Sequence, residues 1–191
     1  RTCNKKECSK LGTANRHSGR NRCACSCTFL FCVVVYKQTD KLELAEVVYM
    51  EKLTKEVDAI LLERFGKDSI IALATAVDNI PYVRSVDAFY ENGVFYVLTH
   101  GLSSKMQQIE QNPAVALSGE WFTAQGKGLN LGYFGKADNL HIANKMKQVF
   151  SAWIDNGHNN FDDTNTCILC IKLTNGILFS NGTRYEIDFT K

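Results

Sequence analysis

The sequence predicts a small, mostly β domain of the α+β class, an antiparallel barrel with flanking helices, over residues 50–191 of the 191-residue chain. Three observations predict it. Short runs rich in β-branched and aromatic residues recur after residue 68, Asn-Gly dipeptides of the hairpin type separate several of them, and a 3.6-residue apolar period appears only in brief stretches. About seven short strands with hairpin turns and a few flanking helices argue for a small antiparallel barrel.

The elements follow in order. Leu53, Val57, Ile60, Leu61 and Phe65 recur at helical spacing, with Thr54 as a candidate cap and Gly66 as a stop. Ser69 to Val77 is β-branched and alanine-rich, Asp78-Asn79 marks a turn, and Tyr82 to Tyr90 makes a second strand. Asn92-Gly93 closes a hairpin onto Val94 to Thr99. After Gly101, Ser103 to Gln111 forms a short helix with Met106 and Ile109 inward, and Pro113 opens a strand from Ala114 to Glu120. A long strand is expected over Leu129 to Ala137, then a helix capped by Asn139 and reaching Trp153, with Ala143, Met146, Phe150 and Trp153 on one face. Strands at Cys167 to Leu173, Ile177 to Ser180 and Tyr185 to Phe189, joined by turns at Asn175-Gly176 and Asn181-Gly182, end the chain.

Charge and cysteine divide the chain. Residues 1–49 carry nine Lys/Arg against four Asp/Glu, or +5, and residues 50–191 carry 13 against 16, or −3. Six of the eight cysteines fall in the first 32 residues, without zinc-knuckle spacing, and no metal site is expected. An apolar run from Cys23 to Tyr36 has the length of a signal-peptide core but no small-x-small cleavage site follows, and it is too short to span a bilayer as a helix. The expectation is an N-terminal extension over residues 1–49, disordered or non-native, with the folded protein starting near Met50, reduced and cytoplasmic, with no membrane partner. The negative body also argues against a nucleic-acid partner, since that affinity depends on neutralising phosphates.

One stretch points to chemistry. Leu98-Thr99-His100-Gly101-Leu102-Ser103-Ser104-Lys105 runs from a strand end through a glycine into a helix start, where unpaired backbone N–H groups meet two hydroxyls and an ammonium. A phosphate would fit there; the plainer alternative makes Ser103 an N-cap and Lys105 a solvated charge. Arg84, on the strand that hairpins onto the one ending at Thr99, can reach the same anion with two donors.

The order Arg84-Ser85-Val86, then Phe95-Tyr96-Val97-Leu98-Thr99, Ser103-Ser104-Lys105, Asn112-Pro113-Ala114-Val115-Ala116-Leu117 and Gly135-Lys136-Ala137 resembles the pyridoxamine 5'-phosphate oxidase-like FMN-binding split-barrel flavoproteins. The resemblance implies an FMN cofactor whose phosphate is held by Arg84 and Lys105, with Ser103 and Ser104 adding hydroxyls. It further implies that Ser85, Val86, Leu98 and Thr99 line the rest of the flavin, and that a homodimer holds FMN at its interface, with Asn130 contributed by the second subunit and Trp121 near the same interface. Ser104 and Phe89 stand where the vitamin-processing oxidase carries basic residues, so the resemblance implies a small flavin reductase or oxidase with another small-molecule substrate. The alternative is a non-catalytic flavin- or haem-binding protein.

His100 reads as a solvated turn residue more naturally than as a catalytic group. Cys167 and Cys170 form a C-x-x-C, but an offset of three on a strand sends them to opposite faces, which favours packing over redox chemistry. No acid–base pair stands out, as expected if a cofactor supplies the chemistry.

Overall fold

The computed structural model describes residues 55–191. The extension expected over residues 1–49, and the helix start at Leu53 and Thr54, lie outside the described residues.

Helix α1 (residues 55–65) buries Val57, Leu61 and Phe65, spaced four apart, against the sheet. Strands β1 (Ser69–Val77), β2 (Ile80–Glu91) and β3 (Val94–His100) form an antiparallel meander. Both of its turns use two residues at positive φ, Asp78 (52°) with Asn79 (63°) and Asn92 (49°) with Gly93 (76°), the backbone that matches strand twist in tight hairpins. Helix α2 (Ser104–Gln111) follows, then β4 (Ala114–Gly119), β5 (Phe122–Tyr133), a 3-10 turn (Ala137–Asn139), α3 (Leu140–Val149), β6 (Thr166–Ser180) and β7 (Thr183–Asp188).

The sheet order is β3-β2-β1-β4-β5-β6-β7, and a further pairing of β3 with β6 closes six strands into an antiparallel barrel, leaving β7 outside. Alternation along each strand fills the barrel: Ile71 and Leu73, Val86, Ala88 and Tyr90, Phe95 and Val97, Val115 and Leu117, and Cys167, Leu169, Ile171 and Leu173 share one core with Met106 and Ile109 of α2. A second core forms on the outer surface, where Ala143, Met146, Phe150 and Ile154 cover Phe89, Phe134 and Ile168. Gly128 shows how α2 fits the barrel wall, since a Cβ there would stand 3.0 Å from Ile109 Cγ2.

Five sequence expectations change. Helix α3 ends at Val149 and does not reach Trp153, which lies in the turns that follow. Strand β5 begins at Phe122 and ends at Tyr133, not over Leu129 to Ala137. Its first half alternates correctly, with Phe122 and Ala124 inward, but Gly126 and Gly128 occupy inward positions and erase the apolar signal. Gly135-Lys136-Ala137 accordingly lies in a turn and 3-10 segment. Asn139 stands at the N-cap position of α3 as expected, but its side chain does not cap the helix; it is buried and its Nδ2 donates to the carbonyls of Leu131 (3.1 Å) and Tyr133 (2.8 Å), tying the end of β5 to the helix. Asn175-Gly176 is no turn, because β6 runs through it between β5 and β7. Gly176 serves close approach instead: a Cβ would lie 2.9 Å from Phe122 Cε2 and 3.1 Å from the Thr123 carbonyl oxygen.

Candidate anion-binding site

The alternation that fills the barrel also places Arg84 on the inner-facing side of β2, opposite Leu73 of β1 and two residues before buried Val86. Its guanidinium is half-buried and held by three uncharged acceptors. Nη1 donates to Thr75 Oγ1 (2.7 Å) and to the Leu73 carbonyl (3.4 Å), and Nη2 donates to Gln108 Oε1 (2.8 Å). Thr75 Oγ1 in turn donates to Gln108 Oε1 (2.6 Å). These bonds occupy the end of the guanidinium fork and leave Nε and the second hydrogen of Nη2 without an acceptor among the described residues.

Lys105, in the first turn of α2, adds a second half-buried cation near Arg84. Burial, and then the charge of Arg84, push its ammonium below the ordinary lysine range, and burial lowers Arg84 as well. No carboxylate among the described residues forms an ion pair with either one. Two desolvated cations without a counterion are costly, and an anion between them removes that cost.

The hydroxyls nearby fit the same ligand. Thr99, buried at the end of β3, and Ser103, at the N-cap of α2, both hold their hydroxyl oxygens away from solvent with no hydrogen-bond partner among the described residues. Ser103 thus does not cap the helix with its side chain, although its carbonyl accepts from Met106 N (2.9 Å) and Gln107 N (3.1 Å). The plainer sequence reading holds for the position of Ser103 at the N-cap but not for its side chain, and Lys105 is half-buried instead of solvated.

The remaining sequence-predicted residues are dispersed. Ser104 is exposed at the helix start, and Val86 is packed inside the barrel. Leu98 packs on the outer surface against the second core, whereas Ser85 is exposed on the outer face beside Ala72. Asn130 is exposed on β5 with its Oδ1 accepting from Gly132 N (2.8 Å), two residues past the glycine that packs on α2. Trp121 sits in the β4–β5 turn at φ 52°, at the opposite end of β5 from Asn130. Thr75 and Gln108 were not singled out by sequence; the pairing of β1 with β2 and the position of α2 bring them to Arg84.

His100 is solvent-facing. Its Nδ1 accepts from Leu102 N (3.3 Å) and its Nε2 lies 3.2 Å from Asp163 Oδ2, so both ring nitrogens are engaged. Cys167 lies in the barrel core while Cys170 lies outside that cluster; both are buried, free and pushed up by burial. A groove of about 710 Å³ lies elsewhere: it runs over the outer face on a floor of Ala72, Ala74 and Ala116, bordered by Val83 and by Arg184 and Glu186 of β7.

Among solved structures, the chain is similar to a pyridoxamine 5'-phosphate oxidase candidate from Listeria innocua (12% identity, TM-score 0.50), with 68% of this chain and 98% of that one covered. General Stress Protein 26 from Bacillus anthracis aligns at 17% identity and TM-score 0.50, over 69% of this chain and 98% of that one. This is the fold of the pyridoxamine 5'-phosphate oxidase-like split barrels. A NimC/NimA family protein from Clostridium acetobutylicum shares the split barrel at 19% identity and TM-score 0.50, over 68% of this chain and 93% of that one. No protein-family model and no curated protein matches the sequence. No helix among the described residues of this split barrel is long and apolar enough to cross a membrane.

Proposed function

We propose that this split barrel belongs to the pyridoxamine 5'-phosphate oxidase-like flavoproteins, binds FMN, and works as a small FMN-dependent oxidoreductase on a small-molecule substrate. The observation that carries the reading is the pair of half-buried cations, Arg84 and Lys105, which no carboxylate among the described residues neutralises, beside the unpartnered hydroxyls of Thr99 and Ser103. A phosphate monoester supplies what these groups lack: negative charge and several acceptor oxygens. Arg84 and Lys105 would hold it, with Thr99, Ser103 and exposed Ser104 donating hydroxyl hydrogens. When bound, FMN supplies hydride or electron transfer. The chain's own part is to fix the phosphate and present the rest of the ring system along β2 and β3, where Ser85, Val86 and Leu98 lie.

Dimerisation is part of the proposal. The outer-face groove is floored by alanines and bordered by exposed Val83, an apolar surface a second copy of the chain can cover. Ser85 opens onto the same face, and Asn130 would complete the site from the partner. A haem ligated by His100 fits less well, since both of that ring's nitrogens are already engaged.

The test is Arg84→Ala and Lys105→Ala in the 191-residue chain. The expected result is loss of bound flavin absorbance with an unchanged circular dichroism spectrum; retained flavin in both variants contradicts the reading.

A further inference from the structure

The side chain of Arg84 is held by three neutral acceptors and no carboxylate, as is that of Arg64, but only at Arg84 are two of the acceptors hydrogen-bonded to each other. The geometry of those acceptors is specific. Thr75 Oγ1 and Gln108 Oε1 stand 2.6 Å apart, and each faces a different terminal nitrogen of the same guanidinium, at 2.7 Å and 2.8 Å. Arginine can only donate, so the amide of Gln108 must turn its oxygen to Arg84, and the hydroxyl hydrogen of Thr75 is then directed to that same oxygen. The result is a closed triangle in which one hydroxyl and one amide fix the fork in its plane.

We infer that Thr75 and Gln108 are positioning residues for the anion site: they lock the end of the Arg84 fork with uncharged oxygens, so that its side edge, Nε and the second Nη2 hydrogen, faces the ligand with its full charge. The inference rests on the phosphate-anchoring reading and deepens it, because it assigns the preference for a phosphorylated flavin to two residues that need not touch the ligand. A carboxylate at position 108 would orient the guanidinium equally well but cancel its charge. A neutral acceptor orients without neutralising. Thr75 is 2% exposed, so the network is anchored inside the barrel, and Gln108 comes from the same short helix that carries Lys105, which couples the placement of both cations to one element.

The experiment compares FMN with riboflavin, which lacks the phosphate, by fluorescence titration of the 191-residue chain. Gln108→Glu keeps both accepted hydrogen bonds and adds a charge; the expected result is a fall of about 10- to 100-fold in the FMN-to-riboflavin affinity ratio, as for loss of a charge-assisted bond. Thr75→Val keeps the shape and removes the oxygen, and is expected to lower the same ratio about fivefold. Riboflavin affinity itself stays within about twofold in both, a small change on the scale of these bonds. If both variants keep the wild-type ratio while Arg84→Ala collapses it, the inference fails and the anchoring reading stands. Equal losses of FMN and riboflavin binding also overturn it, since they indicate a merely structural role. If Arg84→Ala leaves the ratio unchanged, the anchoring reading itself fails.

Discussion

Replacing Lys105 with methionine should weaken ligand binding and leave the empty protein as stable as before or more so. The ammonium is half-buried, and burial together with the charge of Arg84 lowers its pKa from 10.5 in the folded state. The sign follows from proton linkage: between the lowered folded value and 10.5 the unfolded chain binds more protons, so this group makes stability rise with pH in that window, and below it the full penalty of the charged form is present. Methionine keeps the stem's packing and removes the penalty. On the ligand side, two unit charges about 4 Å apart at an effective dielectric near 20 attract by about 4 kcal/mol, and hydrogen bonds to charged groups measure about 1.5–3 kcal/mol net. The smaller range converts to FMN binding weakened roughly 10- to 150-fold. Fluorescence titration gives the affinity and urea unfolding of the apoprotein gives the stability. Unchanged FMN affinity, or an apoprotein destabilised by more than about 1 kcal/mol, the net worth of an ordinary hydrogen bond, refutes the reasoning.

Other predictions follow from different parts of the molecule. Tyr90 is buried and its hydroxyl donates to Asp58 Oδ1 at 2.5 Å; burial first, then that bond, push its pKa well above 10.0. The unfolded chain therefore loses this proton first, and stability should fall by up to about 1.4 kcal/mol per pH unit above pH ~10; Tyr90→Phe should flatten that alkaline limb in urea melts and cost about 1 kcal/mol at neutral pH. Gly126→Ala would put a Cβ 2.5 Å from the Lys172 carbonyl oxygen, a backbone atom that cannot rotate away, so a loss of about 1–3 kcal/mol is expected in the same assay. Ala116→Arg, on the floor of the outer groove, should convert the proposed dimer to a monomer in sedimentation equilibrium; an unchanged mass would place the interface elsewhere.

What could be read from sequence divides along physical lines. Wherever a local rule and the tertiary pattern agree, the sequence was sufficient: Asn92-Gly93 and Asn181-Gly182 adopt the positive φ angles of hairpin turns, β1 has the limits its alternation suggests, and Met106 and Ile109 are the buried face of α2. The opposite-face placement of Cys167 and Cys170 also followed from strand period alone. Expectations changed where glycine serves a neighbour instead of a turn. Gly126 and Gly128 make room for β6 and for Ile109, so the strand they interrupt looked broken, and Gly176 lets β6 pass Phe122, so its Asn-Gly looked like a hairpin.

For the candidate site, the sequence pointed to Arg84, Ser103, Ser104 and Lys105 as groups for an anion and to Thr99 only as lining for the rest of the flavin; in the structure Ser104 is exposed and the Thr99 hydroxyl is buried without a partner among the described residues. Thr75 and Gln108 carry no such signal; a threonine in a strand and a glutamine in a helix are ordinary, and only the pairing of β1 with β2 and the position of α2 bring them to one guanidinium. Ser85, Leu98 and Asn130 lie on other surfaces, where a bound cofactor or a second subunit would have to connect them.

The most direct test of the account is an absorption and fluorescence titration of the purified 191-residue chain with FMN and with riboflavin. The account predicts a shifted flavin spectrum that saturates with FMN and an affinity for riboflavin at least about tenfold weaker, the difference a single charge-assisted phosphate contact makes. A chain that leaves the FMN spectrum unchanged, or binds the two flavins equally, contradicts it.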